Sequence, residues 1–289
     1  MRRILQLRWL AILLLLSFFP QAFAQFDRGL LWKIEKAGVA PSYVFGTYHT
    51  DDPRVTNLPE PVQVRFIQAS SLSTEIELDP LQTQQAAMRL FFVDGQKLQN
   101  QLDSKLHRKT LDLLAKRNIS ISIAEKLKPW GAFTVLSTPA SKSGAFLDQI
   151  LYSRALAMTK PVFGLETIQE QMDVLDKMSM SDQVQLLRQA VAEYDQQDAK
   201  LEQLTDIYLH RDLAAMRVLN EQELPRDAAL AARLMDRLIY SRNQKMAQRM
   251  QPRLQEGNAF IAIGALHLSG EKGVLDLLQK QGYHISVVY

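Results

Sequence analysis

The sequence predicts a mixed α/β fold, in which a central mixed sheet built from strands near both termini carries a large helical insertion. Short runs rich in Val, Ile and aromatic residues occur at 43–45 and 260–263, as is typical of buried strands. From about 81 to 255 the chain has few glycines and many Leu, Ala, Gln and Met, a composition that favours helices. No Gly/Ser linker, low-complexity tract or charge block divides the chain, so we expect a single domain over 25–289.

The first 24 residues are predicted to be a secretory signal peptide. Arg2, Arg3 and Arg8 provide a basic start, residues 10–19 form an apolar run, and the small-x-small pattern at 22–24 predicts cleavage after Ala24. The alternative is an uncleaved membrane anchor, which is disfavoured because the apolar run is short for a bilayer-spanning helix. We therefore expect a periplasmic or secreted protein.

Charge and composition narrow the classes of function. The formal net charge of +3 is carried by the three arginines of the predicted leader. The mature chain is therefore neutral and lacks the excess of positive charge that indicates nucleic-acid binding. After the leader no segment is apolar and long enough to span a membrane. The chain has no cysteine, which excludes disulfides and thiolate sites and leaves histidines and carboxylates as metal ligands. Nothing in the sequence predicts an oligomeric state.

The mature chain is predicted to begin with a hairpin. Residues 30–36 alternate apolar and polar side chains with the period of a strand, and a turn with Gly38 and Pro41 leads into the apolar run at 43–45. A loop punctuated by prolines (50–61) and a short helix over 62–69 follow.

Two Gly-x-x-His motifs in matching contexts form the first candidate site. Gly46 and His49 follow one predicted buried strand, and Gly264 and His267 follow another. In open α/β sheets ligands bind at the carboxyl ends of the strands, so histidines on neighbouring strands can share one metal ion or one substrate. A single motif of this kind is more often a hydrogen-bonded loop residue. Its repetition, in a chain with five histidines, favours function.

A third candidate lies on the strand predicted over 72–79. Its side chains alternate, which places Glu75, Glu77 and Asp79 on one face. Three acids on one face repel one another unless the face is solvated, as expected of an edge strand, or a cation neutralises it. If this strand adjoins the first histidine strand, Glu75 or Glu77 points toward His49.

Two charged residues later in the chain complete the candidates found from pattern alone. Glu166 directly follows a predicted buried strand at 161–165, as the histidines follow theirs. Arg242 lies in the register of the apolar face of a helix predicted over 227–250. It therefore either reaches past the core to solvent or finds a partner inside the protein. That partner is an anion, such as the carboxylates at the carboxyl ends of the strands (the acidic rim), or a substrate carbonyl. A closing helix (273–281) and a last strand (284–289) are predicted at the C-terminus.

Taken in order, the motifs resemble the TraB/GumN family, which includes the Tiki proteases. The resemblance rests on 31–34 (LWKI), 45–49 (FGTYH) with 52–54 (DPR) and 58–59 (LP), 74–78 (TEIEL), 160–167 (KPVFGLET) with 170–171 (EQ), 242–243 (RN) with 246–247 (MA), 263–268 (IGALHL) and 270–273 (GEKG). Each segment is weak alone, but the ordered set spans essentially the whole mature chain.

The resemblance implies a Tiki-like α/β core, related to erythromycin-esterase-like proteins, in which two Gly-x-x-His motifs and a glutamate surround a divalent-metal site. The metal ligands that it implies are His49, Glu75 and His267, and the catalytic residues expected to line the same pocket are Glu166, Arg242 and Asn243. Where the family often has Asp two residues after the strand glutamate, this chain has Glu77.

The leading hypothesis is a metal-dependent hydrolase, a peptidase that acts in the periplasm on a peptide or protein substrate. Two imidazoles and a carboxylate suit Mn²⁺, Co²⁺ or Zn²⁺ and leave a coordination place for water. Glu166 is the candidate base or further ligand, and Arg242 is the candidate stabiliser of an oxyanion. No His-Glu-x-x-His helix and no Gly-x-Ser-x-Gly elbow occur, which argues against a helix-borne zinc peptidase and a serine hydrolase.

Two alternatives stay open. One is a metal-free hydrolase in which His49 acts as the base on water and Glu75 orients it. The other is a non-catalytic periplasmic peptide- or pheromone-binding protein, in which the same rim holds a ligand without turning it over.

Overall fold

The computed structural model describes residues 26–138 and 145–289. The predicted signal peptide and its cleavage position lie outside these residues. Within them, no helix combines the length and the apolar character needed to cross a bilayer.

Six strands form one mixed sheet with the order β4-β3-β5-β2-β1-β6. The strands are β1 (Leu31–Glu35), β2 (Ser42–Thr47), β3 (Ser71–Ile76), β4 (Val162–Glu166), β5 (Ala259–Gly264) and β6 (His284–Val287). The strands from β4 to β2 in this order are parallel, whereas β1 pairs antiparallel with both β2 and β6. The predicted mixed α/β fold, with strands from both ends of the chain around a helical middle region, is confirmed.

The two histidine strands are neighbours in this sheet. β2 and β5 pair in parallel, with Gly46 opposite Ile263 and Thr47 opposite Gly264. Nearly every residue of both strands is buried, as expected of parallel strands that are covered on both faces. Both Gly-x-x-His motifs therefore leave the sheet at the same edge.

β3 is an internal strand, which corrects two expectations. It pairs with β5 on one side and with β4 on the other, so it adjoins the second histidine strand and not the first, and it is not an edge strand. It ends at Ile76, and Glu77 beyond it is exposed. Ser73, which begins the polar face of the predicted alternation, and Thr74 on the opposite face are both small enough to be buried inside the sheet.

Helices make up most of the rest of the described chain. They are α1 (Pro53–Thr56), α2 (Glu60–Gln68), α3 (Pro80–Met88), α4 (Ser104–Lys116), α5 (Ile121–Ala124), α6 (Pro129–Ser137), α7 (Leu147–Ala157), α8 (Ile168–Asp176), α9 (Met180–Glu193), α10 (Gln197–Leu209), α11 (Leu213–Gln222), α12 (Ala228–Met235), α13 (Ser241–Arg249), α14 (Gln251–Glu256) and α15 (Val274–Lys280).

The main core packs against the sheet. Phe260 of β5 is fully buried and contacts Phe66 of α2 edge-on, with 5.4 Å between ring centroids, and Phe45 of β2 at 6.0 Å. Full burial of a side chain of this size stabilises the fold by about 1.5–3 kcal/mol. Separate apolar clusters lie within the helical region, one of them around Leu114 and Leu187. The carboxyl ends of the parallel strands thus adjoin a densely packed core.

Candidate active site

The carboxyl ends of the four parallel strands collect the side chains that the motifs singled out. Glu166 ends β4, and Glu75 is the penultimate residue of β3. His267 lies on the 3₁₀ turn that follows β5, and His49 lies just past β2. Because parallel strands end at one edge of a sheet, residues far apart in the chain are neighbours here.

His267 is buried and held in one orientation by Asn243. Its Nδ1 lies 2.6 Å from Oδ1 of Asn243, and Nδ2 of Asn243 donates to the carbonyl of Lys272 at 2.7 Å. Since the amide nitrogen is used as a donor, Oδ1 is the acceptor that faces the ring, so the proton lies on Nδ1 and the lone pair on Nε2. Burial lowers the pKa of His267 to about 4, and its imidazole is neutral at pH 7.

Glu75 faces His267 and is held in its ionised form. Its Oε1 lies 3.7 Å from Nε2 of His267 and accepts from the backbone N–H of Gly264 at 2.7 Å. Its Oε2 accepts from Arg242 at 2.6 Å and from Gln171 at 3.1 Å. Burial acts to raise the pKa of Glu75, but His267, Arg242 and the Gly264 N–H together lower it to about 2. A Cβ at position 264 would lie only 3.1 Å from Oε1, so a glycine permits this close approach.

Arg242 pairs with two carboxylates, which decides between its two predicted environments. Its Nε and Nη2 donate to Glu166 at 2.9 and 2.7 Å, Nη2 also donates to Glu75, and Nη1 donates to the carbonyl of Leu238 at 3.2 Å. The side chains of Arg242 and Glu166 are 13% and 1% exposed. Arg242 therefore faces the acidic rim and does not extend into solvent.

The helix predicted over 227–250 is interrupted just before Arg242 and Asn243. α12 leads into a π-helical turn (Asp236–Tyr240), and α13 follows. A π turn adds one residue to the helix, so it changes the register of the residues after it by roughly 100°. With this register, Arg242 contacts the two glutamates and the next residue, Asn243, contacts His267.

His49 is held by Asp148, a residue that the sequence did not single out. Nδ1 of His49 lies 3.0 Å from Oδ2 of Asp148, and the hydroxyl of Thr47 donates to Oδ1 of the same carboxylate at 2.7 Å. Its hydrogen bond to Asp148 raises the pKa of His49 to about 9, although the His49 side chain is 64% exposed. The residue that orients His49 is thus Asp148 and not Glu75, which corrects the metal-free alternative.

Asp148 and Gln171 are the site contacts that sequence reasoning missed. Asp148 lies in the first turn of α7, where an acid is ordinarily explained by the helix dipole. Nothing in its sequence surroundings marks it. Gln171 bridges Glu75 and Glu166 through its side-chain amide, and its only signal was its place in the 170–171 segment of the family resemblance.

Comparison with known sequences assigns the chain to a family. A profile of the TraB/PrgY/gumN family matches residues 30–287. The chain belongs to the TraB/PrgY/gumN family. The match covers all six strands and the whole candidate site, so the resemblance seen in the motifs is confirmed.

Several curated proteins are similar to this TraB/PrgY/gumN protein at low identity. Metalloprotease TIKI2 of Danio rerio is 26% identical over 310 residues, which cover 88% of this chain and 60% of the relative. Metalloprotease TIKI1 of Homo sapiens is 24% identical over 309 residues, which cover 88% and 61%. An uncharacterized protein of Treponema pallidum (strain Nichols) is 23% identical over 302 residues, which cover 94% and 90%.

The chain spans about 60% of the length of the Tiki proteins that it matches. No solved structure matches it.

The two histidines of this family member are presented in the same way. Nδ1 of each faces an oxygen on a helix, from Asp148 in one case and Asn243 in the other. Nε2 of each ring therefore lies on the side away from that oxygen, as in metal-ligating histidines whose second nitrogen is hydrogen-bonded, although the raised pKa of His49 leaves its ring protonated at pH 7. With the ionised Glu75 beside His267, the donor types fit a divalent cation.

The predicted ligand set is assembled only in part. His267 and Glu75 lie 3.7 Å apart, but within residues 26–138 and 145–289 no three His, Asp or Glu side chains are gathered closely enough to hold a metal ion. Beyond the burial and the nearer charges already described, the positive charge of His49 also lowers the pKa values of Glu75 and His267. His49 is thus within electrostatic range of the pair.

Proposed function

We propose that this TraB/PrgY/gumN protein is a metal-dependent hydrolase that cleaves amide bonds of peptides in the periplasm. The proposal rests on one observation: a neutral His267 faces the ionised Glu75, beside a second histidine whose Nδ1 is likewise engaged. The relatives named metalloproteases support a peptide or protein substrate. The predicted signal peptide supports the compartment.

His49, Glu75 and His267 would hold the ion, which we expect to be Mn²⁺, Co²⁺ or Zn²⁺. When bound, such an ion lowers the pKa of a water molecule and polarises a carbonyl group. The protein keeps two of these ligands in the forms that bind, whereas His49, with its pKa raised to about 9, would have to lose a proton when the ion binds. Burial holds His267 neutral, and Arg242 with the Gly264 N–H holds Glu75 ionised and oriented.

Glu166, Arg242 and Asn243 form the hydrogen bonds that orient these ligands. Both oxygens of Glu166 accept from Arg242, and one also accepts from Gln171. Arg242 in turn orients Glu75, and Asn243 orients His267. These contacts favour positioning roles for all three residues over the roles of base and oxyanion stabiliser.

The proposal is tested with protein purified from the periplasm. Its metal content is measured by mass spectrometry, and a peptide library is incubated with it in the presence of Mn²⁺, Co²⁺ or Zn²⁺. We expect metal-dependent cleavage that falls by roughly 100-fold or more in Glu75→Gln, and loss of bound metal in a His49→Ala/His267→Ala double variant. Glu77→Gln is the matched control, because Glu77 follows on the same chain segment but is exposed. Undiminished cleavage without metal, or in Glu75→Gln, would contradict the proposal.

The binding-protein alternative predicts a different outcome of the same experiment. Peptides would then bind with measurable affinity and be recovered intact, whichever ion is present. That result would favour a periplasmic peptide- or pheromone-binding protein over the hydrolase.

A further inference from the structure

Asp148 contacts the first Gly-x-x-His motif at two points. From the first turn of α7, its Oδ1 accepts from the hydroxyl of Thr47 at 2.7 Å, and its Oδ2 lies 3.0 Å from Nδ1 of His49. Thr47 and Asp148 are 101 positions apart in the chain. A helix from the insertion thus reaches the end of β2 through one carboxylate.

Oδ2 of Asp148 requires a hydrogen-bond donor. The atom is buried, and no described residue forms a well-aligned hydrogen bond with it; Nδ1 of His49 is 3.0 Å away. A buried carboxylate oxygen without a donor is strongly unfavourable. A proton on Nδ1 of His49 can meet this need, with Nε2 on the far side of the ring. Because Thr47 holds the other oxygen, the carboxylate cannot easily turn away.

We infer that Asp148 is a positioning residue, which fixes the ring of His49 with Nδ1 as donor and Nε2 on the side away from the carboxylate, and that Thr47 holds Asp148 in place. The inference rests on the proposed function. The second motif has the same arrangement with different residues. Oδ1 of Asn243 accepts from His267, and Nδ2 of Asn243 donates to the carbonyl of Lys272. An anionic acceptor strengthens the hydrogen bond and makes the far nitrogen more basic, so that it binds an ion more tightly once its own proton has been displaced.

Imidazole NMR of the metal-free protein tests the positioning directly. The protein is labelled with ¹⁵N-histidine, and the Nδ1–H resonance of His49 is assigned by its loss in His49→Gln. We expect a downfield proton in the wild type that is lost in Asp148→Ala and weakened in Thr47→Val. Asp182→Asn is the matched control, since Asp182 is also an acid in the first turn of a helix, with 18% exposure against 21% for Asp148. An unchanged resonance in Asp148→Ala overturns the inference.

Metal affinity, measured by calorimetry with Mn²⁺, Co²⁺ and Zn²⁺, provides a second test. We expect Asp148→Asn to weaken binding roughly 10–100-fold and Asp182→Asn to leave it unchanged. Since Asp148 acts through His49, a His49→Gln/Asp148→Asn double variant should bind no more weakly than His49→Gln alone.

The outcomes separate the inference from the proposed function. Equal affinity in the wild type and Asp148→Asn overturns the positioning role and leaves the metal site standing. Absence of metal binding in the wild type overturns the proposed metal site, and the NMR experiment then decides the role of Asp148 by itself.

Discussion

At the scale of single residues, one motif type places its two histidines in opposite electrostatic environments. The hydrogen bond to Asp148 raises the pKa of His49 to about 9, whereas burial lowers the pKa of His267 to about 4. Gly-x-x-His determines where each ring lies. The protonation of His49 depends on Asp148, a helix residue far away in the chain, and that of His267 depends on burial by the fold. A short motif reveals neither.

Arg242 is the residue whose loss we expect to destabilise the fold most within the site. Arg242→Met would leave Glu75 and Glu166 buried together without their shared cation. Removal of one partner from a buried ion pair typically lowers the free energy of unfolding by about 3–5 kcal/mol. Urea unfolding followed by circular dichroism measures this change.

Lys245→Met, on the same helix, is the control for that prediction. Lys245 is half exposed and lies 3.6 Å from Glu170, so its replacement should change the free energy of unfolding by no more than about 1 kcal/mol. In an Arg242→Met/Glu75→Gln/Glu166→Gln variant, part of the lost stability should return. Equal effects of Arg242→Met and Lys245→Met would show that the buried cluster does not behave as an ion pair.

At the scale of elements, strand ends were more predictable than helix registers. The apolar runs before Gly46 and Gly264 predicted β2 and β5, and parallel strands necessarily end at one edge. The 3.6-residue pattern over 227–250 predicted one continuous helix and did not show the π turn, which changes the register after it by roughly 100°. The place of β3 inside the sheet was equally hidden, since small polar residues are compatible with burial.

The π turn itself can be tested by shortening it. Deletion of Ile239 should convert the segment Asp236–Tyr240 into regular α-helix and turn α13 relative to α12 by roughly 100°. α12 is anchored in an apolar cluster with Met178 and Leu186, and α13 is anchored in the main core through Met246, so the shortened helix cannot keep both anchors together with the placement of Arg242 and Asn243. We expect a metal affinity at least ~10-fold lower with the helical circular dichroism retained.

Ile239→Leu keeps the length of the turn and is the matched control. It should bind metal as the wild type does. If the deletion variant also keeps wild-type affinity and stability, the π turn has no part in placing the site residues.

At the scale of the whole molecule, the sequence predicted that the two histidine strands meet, but neither the place of β3 nor the helices that support the strands. The motifs are carried by strands from both ends of the chain, and the mixed sheet joins them as expected. Asp148, Gln171 and Asn243 reach the same edge from helices of the insertion. Their contacts depend on how the helices pack, which local sequence patterns do not encode. Family resemblance indicated Asn243 and the segment of Gln171, whereas Asp148 required coordinates.

The buried site should also shape the pH dependence of global stability. The folded-state pKa of His267 is about 4 against an ordinary value of 6.5, so between these pH values the unfolded chain binds more protons than the folded one. The free energy of unfolding therefore falls as the pH decreases from 6.5 to 4, by at most about 3 kcal/mol from this residue. Glu75, with a pKa of about 2 against 4.5, adds a further loss only below pH 4.5.

Urea unfolding with chelator present, between pH 7.5 and 4.5, checks this dependence. His267→Gln should flatten the slope below pH 6.5, because the variant has no buried base to protonate. His284→Gln is the control and should keep the wild-type slope, since His284 is exposed. His49 does not disturb this window, because its pKa is raised and its stabilisation is complete below pH 6.5 and lost only as the pH rises through about 9. Parallel slopes for the wild type and His267→Gln would mean that His267 is not buried in its neutral form, and Glu75 would then lack the neutral partner on which the proposed metal site depends.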